Sequence, residues 1–364
     1  SPASGFASWA EGVSSVQPRN QEMGRQVYSW SHALGTGIIL TCRKPLNTAQ
    51  VESLGAFVEE FEQALSRFRP DSLVSAMADP QKVASRAGVF DFPEYCRPLF
   101  DLYDRLFAAS WGRIDPCVGE NLVSLGYTVS FESMDPLVGK LPAGRPRRTR
   151  WDRIRREGTR FRLTGPVHLD FGAVGKGYLL DLLARKLQGM CCGPFSLDAG
   201  GDLCFSPDSD PVWTAGEGKG SSVLVALEDP DDADRAIGLA RLDREYGVSL
   251  CASAPSRRHW QARTADGQLI RLHHILDAMD GLPVSTVAAS WVLVDGREPY
   301  PTAWADGLAT ALFPCPPQDL LASGDEGRLP PFDFLLLSRD GAGHDAESLS
   351  IQMSPDFPAE LFLE

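Results

Sequence analysis

The sequence predicts an α+β protein built of mixed α/β layers. Helix-period and strand-type apolar patterns both recur along the chain, and they do not follow the regular βα alternation of a doubly wound sheet. The 364 residues, 43% of them hydrophobic, can bury one large core or two modest ones. Glycine (34) and proline (27) stay near ordinary usage, so the chain reads as folded rather than low-complexity, and no internal repeat is visible.

Residues 1–27 are polar, carry Gly, Ser and Pro, and read as an N-terminal extension before one domain over 28–364. Tyr28 to Thr41 reads as a strand interrupted at Gly35-Thr36-Gly37 by a bulge or a close backbone approach. The spacing of Val51, Leu54, Phe57, Val58, Phe61 and Leu65 predicts a helix over 48–68. A second is expected over 98–111, with Pro98 in its first turn. Residues 147–169 alternate and should contain strands, and Leu179, Leu180, Leu182, Leu183 and Leu187 predict a helix over 177–187. Strands are expected over 195–205, 222–227, 288–294 and 332–337, and a helix over 305–312.

A formal net charge of −13 argues against a general nucleic-acid binder, because phosphate backbones reward the opposite sign. Nine arginines between Arg145 and Arg162 are the local exception, either a solvated strand face or a docking patch for an acidic partner. The eight cysteines form no CxxC pair, which favours a reducing, cytoplasmic compartment; an export signal trimmed from the N-terminus is the alternative. No apolar stretch approaches membrane-spanning length.

The stretch from His168 to Asp181 is the most informative. An apolar run ends in Asp170, then Gly172, Gly175 and Gly177 surround Lys176 as a helix opens. Glycines before a helix N-terminus let backbone N–H groups approach a phosphate, whose charge the helix dipole favours. A tight strand-to-helix turn with a solvated lysine is the plainer alternative. Asp306 and Thr310 stand four apart on a predicted helix, so a carboxylate and a hydroxyl share one face. With a backbone carbonyl and ligand phosphates, these oxygens suit Mg²⁺; an acid favoured by the helix dipole and a threonine bonded back to its own helix would look the same. His274 precedes an Asp-rich Gly/Pro turn, where it could be a base, a phosphate donor or a histidine satisfied by its neighbours. Ser253 to Arg258 offers hydroxyls and cations for phosphates, or a polar loop, and Ala199-Gly200-Gly201-Asp202 ends a strand where backbone can approach a ligand.

In this order the segments resemble the ApbE family, the FAD:protein FMN transferases. The family's LDxG(G/A)xxKGxxxD stretch is matched from Leu169 to Asp181, its GGD strand end by Gly200 to Asp202, its histidine turn by His274 to Pro283, and its AD(A/G)LATA helix by Ala305 to Ala311. Upstream, Ser66 to Ser72 and Ile114 to Gly119 look like two further family segments. The resemblance implies a T-fold-like flavin transferase architecture and Mg²⁺-dependent transfer of FMN from FAD to a threonine or serine hydroxyl of an acceptor flavoprotein, with release of AMP. It implies cofactor-binding roles for Leu34, Phe68, Gly172, Ala173, Lys176, Asp181, Ser253 and His274. Phe68 would stack on the isoalloxazine, Lys176 would lie against the phosphates, and Asp181 would fix the loop or a ribose hydroxyl. Asp306, Thr310 and the Ala173 carbonyl would hold the metal, and His274 and Asp306 would be catalytic. Leu34, Ala78, Cys117, Cys251, Ala252, Ala254, Ala278 and Asp280 depart from the family pattern, Ala252 losing a hydroxyl near the ligand. These departures keep open FAD binding without transfer, FAD hydrolysis, or a small-molecule acceptor.

Overall fold

The computed structural model describes residues 24–33, 35–126, 137–138, 149–207, 222–255, 259–263, 269–339 and 349–362. Its centre is an eight-stranded sheet whose strands are numbered here in chain order: β1 (Gln26–Ala33), β2 (Thr36–Cys42), β3 (Phe195–Ala199), β4 (Asp202–Phe205), β5 (Val248–Ser253), β6 (Val287–Asp295), β7 (Asp333–Arg339) and β8 (Leu349–Met353). Spatial order follows chain order from β1 to β8, and each neighbouring pair is antiparallel.

Two of these pairs correct the sequence reading. The single strand expected over 28–41 is the β1–β2 hairpin, because Gly35 takes a left-handed φ of 78° that turns the chain. The strand expected over 195–205 is likewise the β3–β4 hairpin, broken where Gly200 and Gly201 adopt φ of 61° and 95°. In both cases the apolar alternation runs on across the turn and hides it.

Side-chain parity divides the sheet into two faces. On β7, Leu335 and Leu337 join one apolar cluster while Phe334 and Leu336 join the other. The first face packs on a three-stranded sheet formed by Ser222–Asp229, Asp232–Asp243 and Ala359–Leu361. The second is covered by helices α1 (Thr48–Leu65), α2 (Arg97–Ala109), α3 (Gly175–Gln188) and α4 (Pro301–Ala311). The result is a helix–sheet–sheet sandwich.

Local chemistry sets where these helices begin and end. Asn47 and Gln50 close a reciprocal capping box on α1, with hydrogen bonds of 2.8 and 3.0 Å. The helix stops at extended Ser66, three residues short of the predicted end. α3 starts at Gly175, so two of the three glycines lie in its first turn rather than before it. α4 starts at Pro301, four residues before the predicted Ala305; its N-cap Tyr300 has φ of 58° and provides no side-chain bond. The first N–H groups of α4 therefore need an acceptor from elsewhere.

The described arginines of the basic cluster are largely engaged within the molecule. Arg150 pairs with Asp152, Arg155 with Glu157, Arg156 with Asp101 and Asp104, and Arg160 with Asp91. Arg145, Arg147 and Arg148 lie outside the described residues. Among the described residues, no helix is long and apolar enough to cross a membrane.

Candidate functional site

A cavity of about 140 Å³ opens on the helix side of the sheet. The end of α1 and the segment after it bring Phe68 to its wall, the glycine loop brings Gly172, Ala173, Gly175 and Lys176, the histidine turn brings His274, and α4 brings Thr310. Six expected residues from four separate segments therefore meet in one cavity: Phe68, Gly172, Ala173, Lys176, His274 and Thr310. Leu34 lies outside the described residues. Ser253 ends β5 on the helix side, in the same parity as Ser249 and Cys251, but is not a wall residue.

Asp306 sits just beneath the loop. It is buried, and its Oδ2 accepts the N–H of Gly177 at 2.9 Å. Gly177 has to be glycine there, since a Cβ would meet Thr302 O at 2.2 Å and Asp306 Cβ at 2.7 Å. Burial pushes the Asp306 carboxyl well above the ordinary range, and the negative charge of Asp202 adds to this against the opposing pull of Lys176 and the Gly177 N–H. Thr310 Oγ1 donates to the Asp306 carbonyl at 3.3 Å, the back-bond expected of a helical threonine, which leaves its lone pairs for a further partner.

Asp181 has a structural task in the fold. Its two carboxylate oxygens accept the N–H groups of Thr302 (3.1 Å) and Ala303 (2.8 Å), capping α4 where Tyr300 cannot. Buried and holding one N–H on each oxygen, it serves as the cap of α4. Lys176, a cavity-wall residue, also pairs with an acid: its Nζ lies 3.1 Å from Asp202 Oδ2. At that ion-pair distance, neither Asp202 oxygen receives a well-directed hydrogen bond.

Arg67 and Asp170 went unassigned from sequence. Arg67 Nε donates to Asp170 Oδ2, and the Gly172 N–H donates to Asp170 Oδ1 at 2.7 Å. Burial would raise the Asp170 carboxyl, but the Arg67 guanidinium and the Gly172 N–H outweigh it and hold it below its ordinary range. A carboxylate that favours its ionised form thus lines the same cavity as the histidine. The Arg67 guanidinium also stands 4.3 Å over the Phe68 ring. An acid closing an apolar run before a glycine was the available signal for Asp170; Arg67 had none.

The N-cap residue of α3, Val174, offers no side-chain acceptor and Asp306 takes the Gly177 N–H, while Gly175 and Lys176 of the same first turn line the cavity, where the helix dipole favours negative charge. The site therefore joins an anion-favouring helix end, an aromatic platform, a carboxylate–histidine pair and a carboxylate–hydroxyl pair. That combination suits a ligand with both an aromatic ring and phosphates.

The sequence profile of the ApbE family matches residues 34–328, and the chain belongs to that family. It is 28% identical over 267 residues to the FAD:protein FMN transferase of Rhodobacter capsulatus, covering 71% of this chain and 45% of that protein. It is 27% identical over 153 residues to the enzyme of the same name from Klebsiella pneumoniae (strain 342), covering 42% of this chain and 38% of that protein. The chain thus spans less than half the length of these curated relatives. The fold matches the flavin transferase ApbE from Vibrio cholerae with a TM-score of 0.68 at 18% identity, covering 92% of this chain and 98% of that one. The ApbE protein of Thermotoga maritima gives 0.68 at 19% identity, covering 92% and 100%.

Proposed function

We propose that this chain transfers FMN from FAD to a serine or threonine hydroxyl of an acceptor protein, releasing AMP, with Mg²⁺ held by Asp306, Thr310 and the Ala173 carbonyl. Family membership and the names of both curated relatives support the reaction. The observation that carries the site assignment is the Gly177–Asp306 hydrogen bond, which ties the glycine loop to the helix bearing the carboxylate and the hydroxyl.

The residues fit a hard cation. Asp306 is a buried carboxylate with another acid's charge acting on it, a setting that favours a compensating positive charge. Among the described residues, no three His, Cys, Asp or Glu side chains converge on a metal position. A cation at Asp306 would therefore complete its shell with hydroxyl, carbonyl and phosphate oxygens, the pattern of Mg²⁺ rather than zinc. When bound, Mg²⁺ would neutralise charge on the pyrophosphate and ease the departure of AMP.

The chain's own groups do the rest. Phe68 offers a ring face for the isoalloxazine, and the loop from Gly172 with the α3 N-terminus takes the phosphates. The acceptor oxygen bonds to the FMN phosphorus as the bond to the AMP oxygen breaks. His274, which lines the same cavity as Asp170, is placed to take the hydroxyl proton, and holding the reactants together supplies much of the acceleration.

Incubation with FAD and a protein acceptor, with and without Mg²⁺, tests this reading. The expected result is AMP by chromatography and covalent flavin on the acceptor, both only when Mg²⁺ is present. FAD that stays bound and intact under every condition would make the protein a flavin-binding module instead.

A further inference from the structure

Asp202 opens β4 directly after the left-handed Gly200–Gly201 turn, which aims its side chain at the helix side of the sheet. The side chain is 1% exposed, and neither oxygen receives a well-directed hydrogen bond. A carboxylate this deep requires a compensating charge, and Lys176 Nζ, 3.1 Å away, supplies it. The next residue along the chain, Gly177, donates its N–H to Asp306. Consecutive residues at the start of α3 therefore serve two different buried acids, one with a full positive charge and one with a backbone dipole. Asp202 is not a wall residue of the cavity, whereas Lys176 is.

A positive charge so close to Asp306 opposes any cation held there, and a negative charge beside that lysine offsets the opposition. We infer that Asp202 is a positioning residue that sets how strongly Asp306 holds a divalent cation: it draws the Lys176 ammonium into a buried ion pair and cancels its field at the metal position. The inference rests on the reading of Asp306 as a metal ligand given under Proposed function. It assigns the lysine of the glycine loop to electrostatic balance beneath the site rather than to the phosphates.

The test measures Mn²⁺ binding to the FAD-saturated protein without acceptor, read from the loss of the free-ion paramagnetic resonance signal. Asp202→Asn leaves the ammonium unbalanced and weakens Mn²⁺ binding roughly tenfold. Asp202→Glu, which keeps the charge, stays near wild type. The double variant Asp202→Asn/Lys176→Gln removes both charges and returns the affinity to within about threefold of wild type. Lys176→Gln alone binds Mn²⁺ at least as tightly as wild type, which keeps the inference testable even if Asp202→Asn fails to fold. Unchanged Mn²⁺ affinity in Asp202→Asn, a double variant as weak as the single, or weakened binding in Lys176→Gln would each overturn it. A wild type that binds Mn²⁺ normally beside such variants sinks this inference alone. A wild type that binds no Mn²⁺ brings down the metal reading of Asp306 and the inference together.

Discussion

The two faces of the central sheet are made by the same strands and do opposite work. Toward the three-stranded sheet, β5, β6 and β7 present Val248, Leu250, Ala289, Trp291, Leu335 and Leu337, all apolar. Toward the helices, β5 and β6 insert polar groups: Ser249 meets Thr302 Oγ1 at 2.6 Å, and Ser290 donates to the Ala309 carbonyl at 2.5 Å. Among the described residues the fully buried carboxylates, Glu62, Asp115, Asp181, Asp202 and Asp306, all lie on the helix side. One face buries apolar side chains against the three-stranded sheet. The other accepts the desolvation of several acids in order to hold charge in place.

If that division is right, substitutions on the two faces separate activity from stability. Asp306→Ala should lower FMN transfer roughly 10³-fold, equivalent to ~4 kcal/mol at the transition state, while moving the urea unfolding free energy by less than about 1 kcal/mol. Leu335→Ala, at a fully buried position on the apolar face, should do the reverse. It costs about 3 kcal/mol of stability by denaturant titration and leaves transfer at 25 °C unchanged; a parallel loss of activity would break the comparison.

Asp181 sharpens it through pH. Burial pushes its carboxyl up to about 7, against the opposing pull of the Ala303 and Thr302 hydrogen bonds. The unfolded value is about 4, so the folded state binds the proton more tightly. The stability contributed by this group is complete below pH ~4 and is lost as pH rises through about 7. Asp181→Asn cannot titrate, so wild type should lose about 2 kcal/mol relative to it between pH 5 and 7, read from urea midpoints at both values. The smallest expected effect is at the proposed flavin platform, where Phe68→Ala should weaken FAD binding about tenfold by fluorescence quenching with stability nearly unchanged.

What could be read from the sequence was what short segments encode. The periodic helix over 48–68 was legible, and so were the glycines around Lys176, the His274 turn and the Asp306–Thr310 spacing. Glycine-centred hairpins were read as single strands because alternation persists through them. The intramolecular partners of Asp181 and Lys176 were not legible, for another reason. The partners of Asp181 lie 121 and 122 residues along the chain, and the partner of Lys176 lies across a strand turn. Motif spacing places a charged group near a ligand, but only the tertiary fold shows which neighbouring dipole or ion has already claimed it.

Because every strand of the main sheet lies beside its predecessor, the sheet can be laid down in the order of synthesis, each new strand finding its template already emerged from the ribosome. Long excursions hang from this growing ribbon without having to thread past it. The helix bearing Asp306 arrives between the sixth and seventh strands, so the nascent chain has the aromatic and glycine-loop walls before it acquires the proposed metal-holding pair. The last part of the pocket to be translated is then the part that would switch its chemistry on.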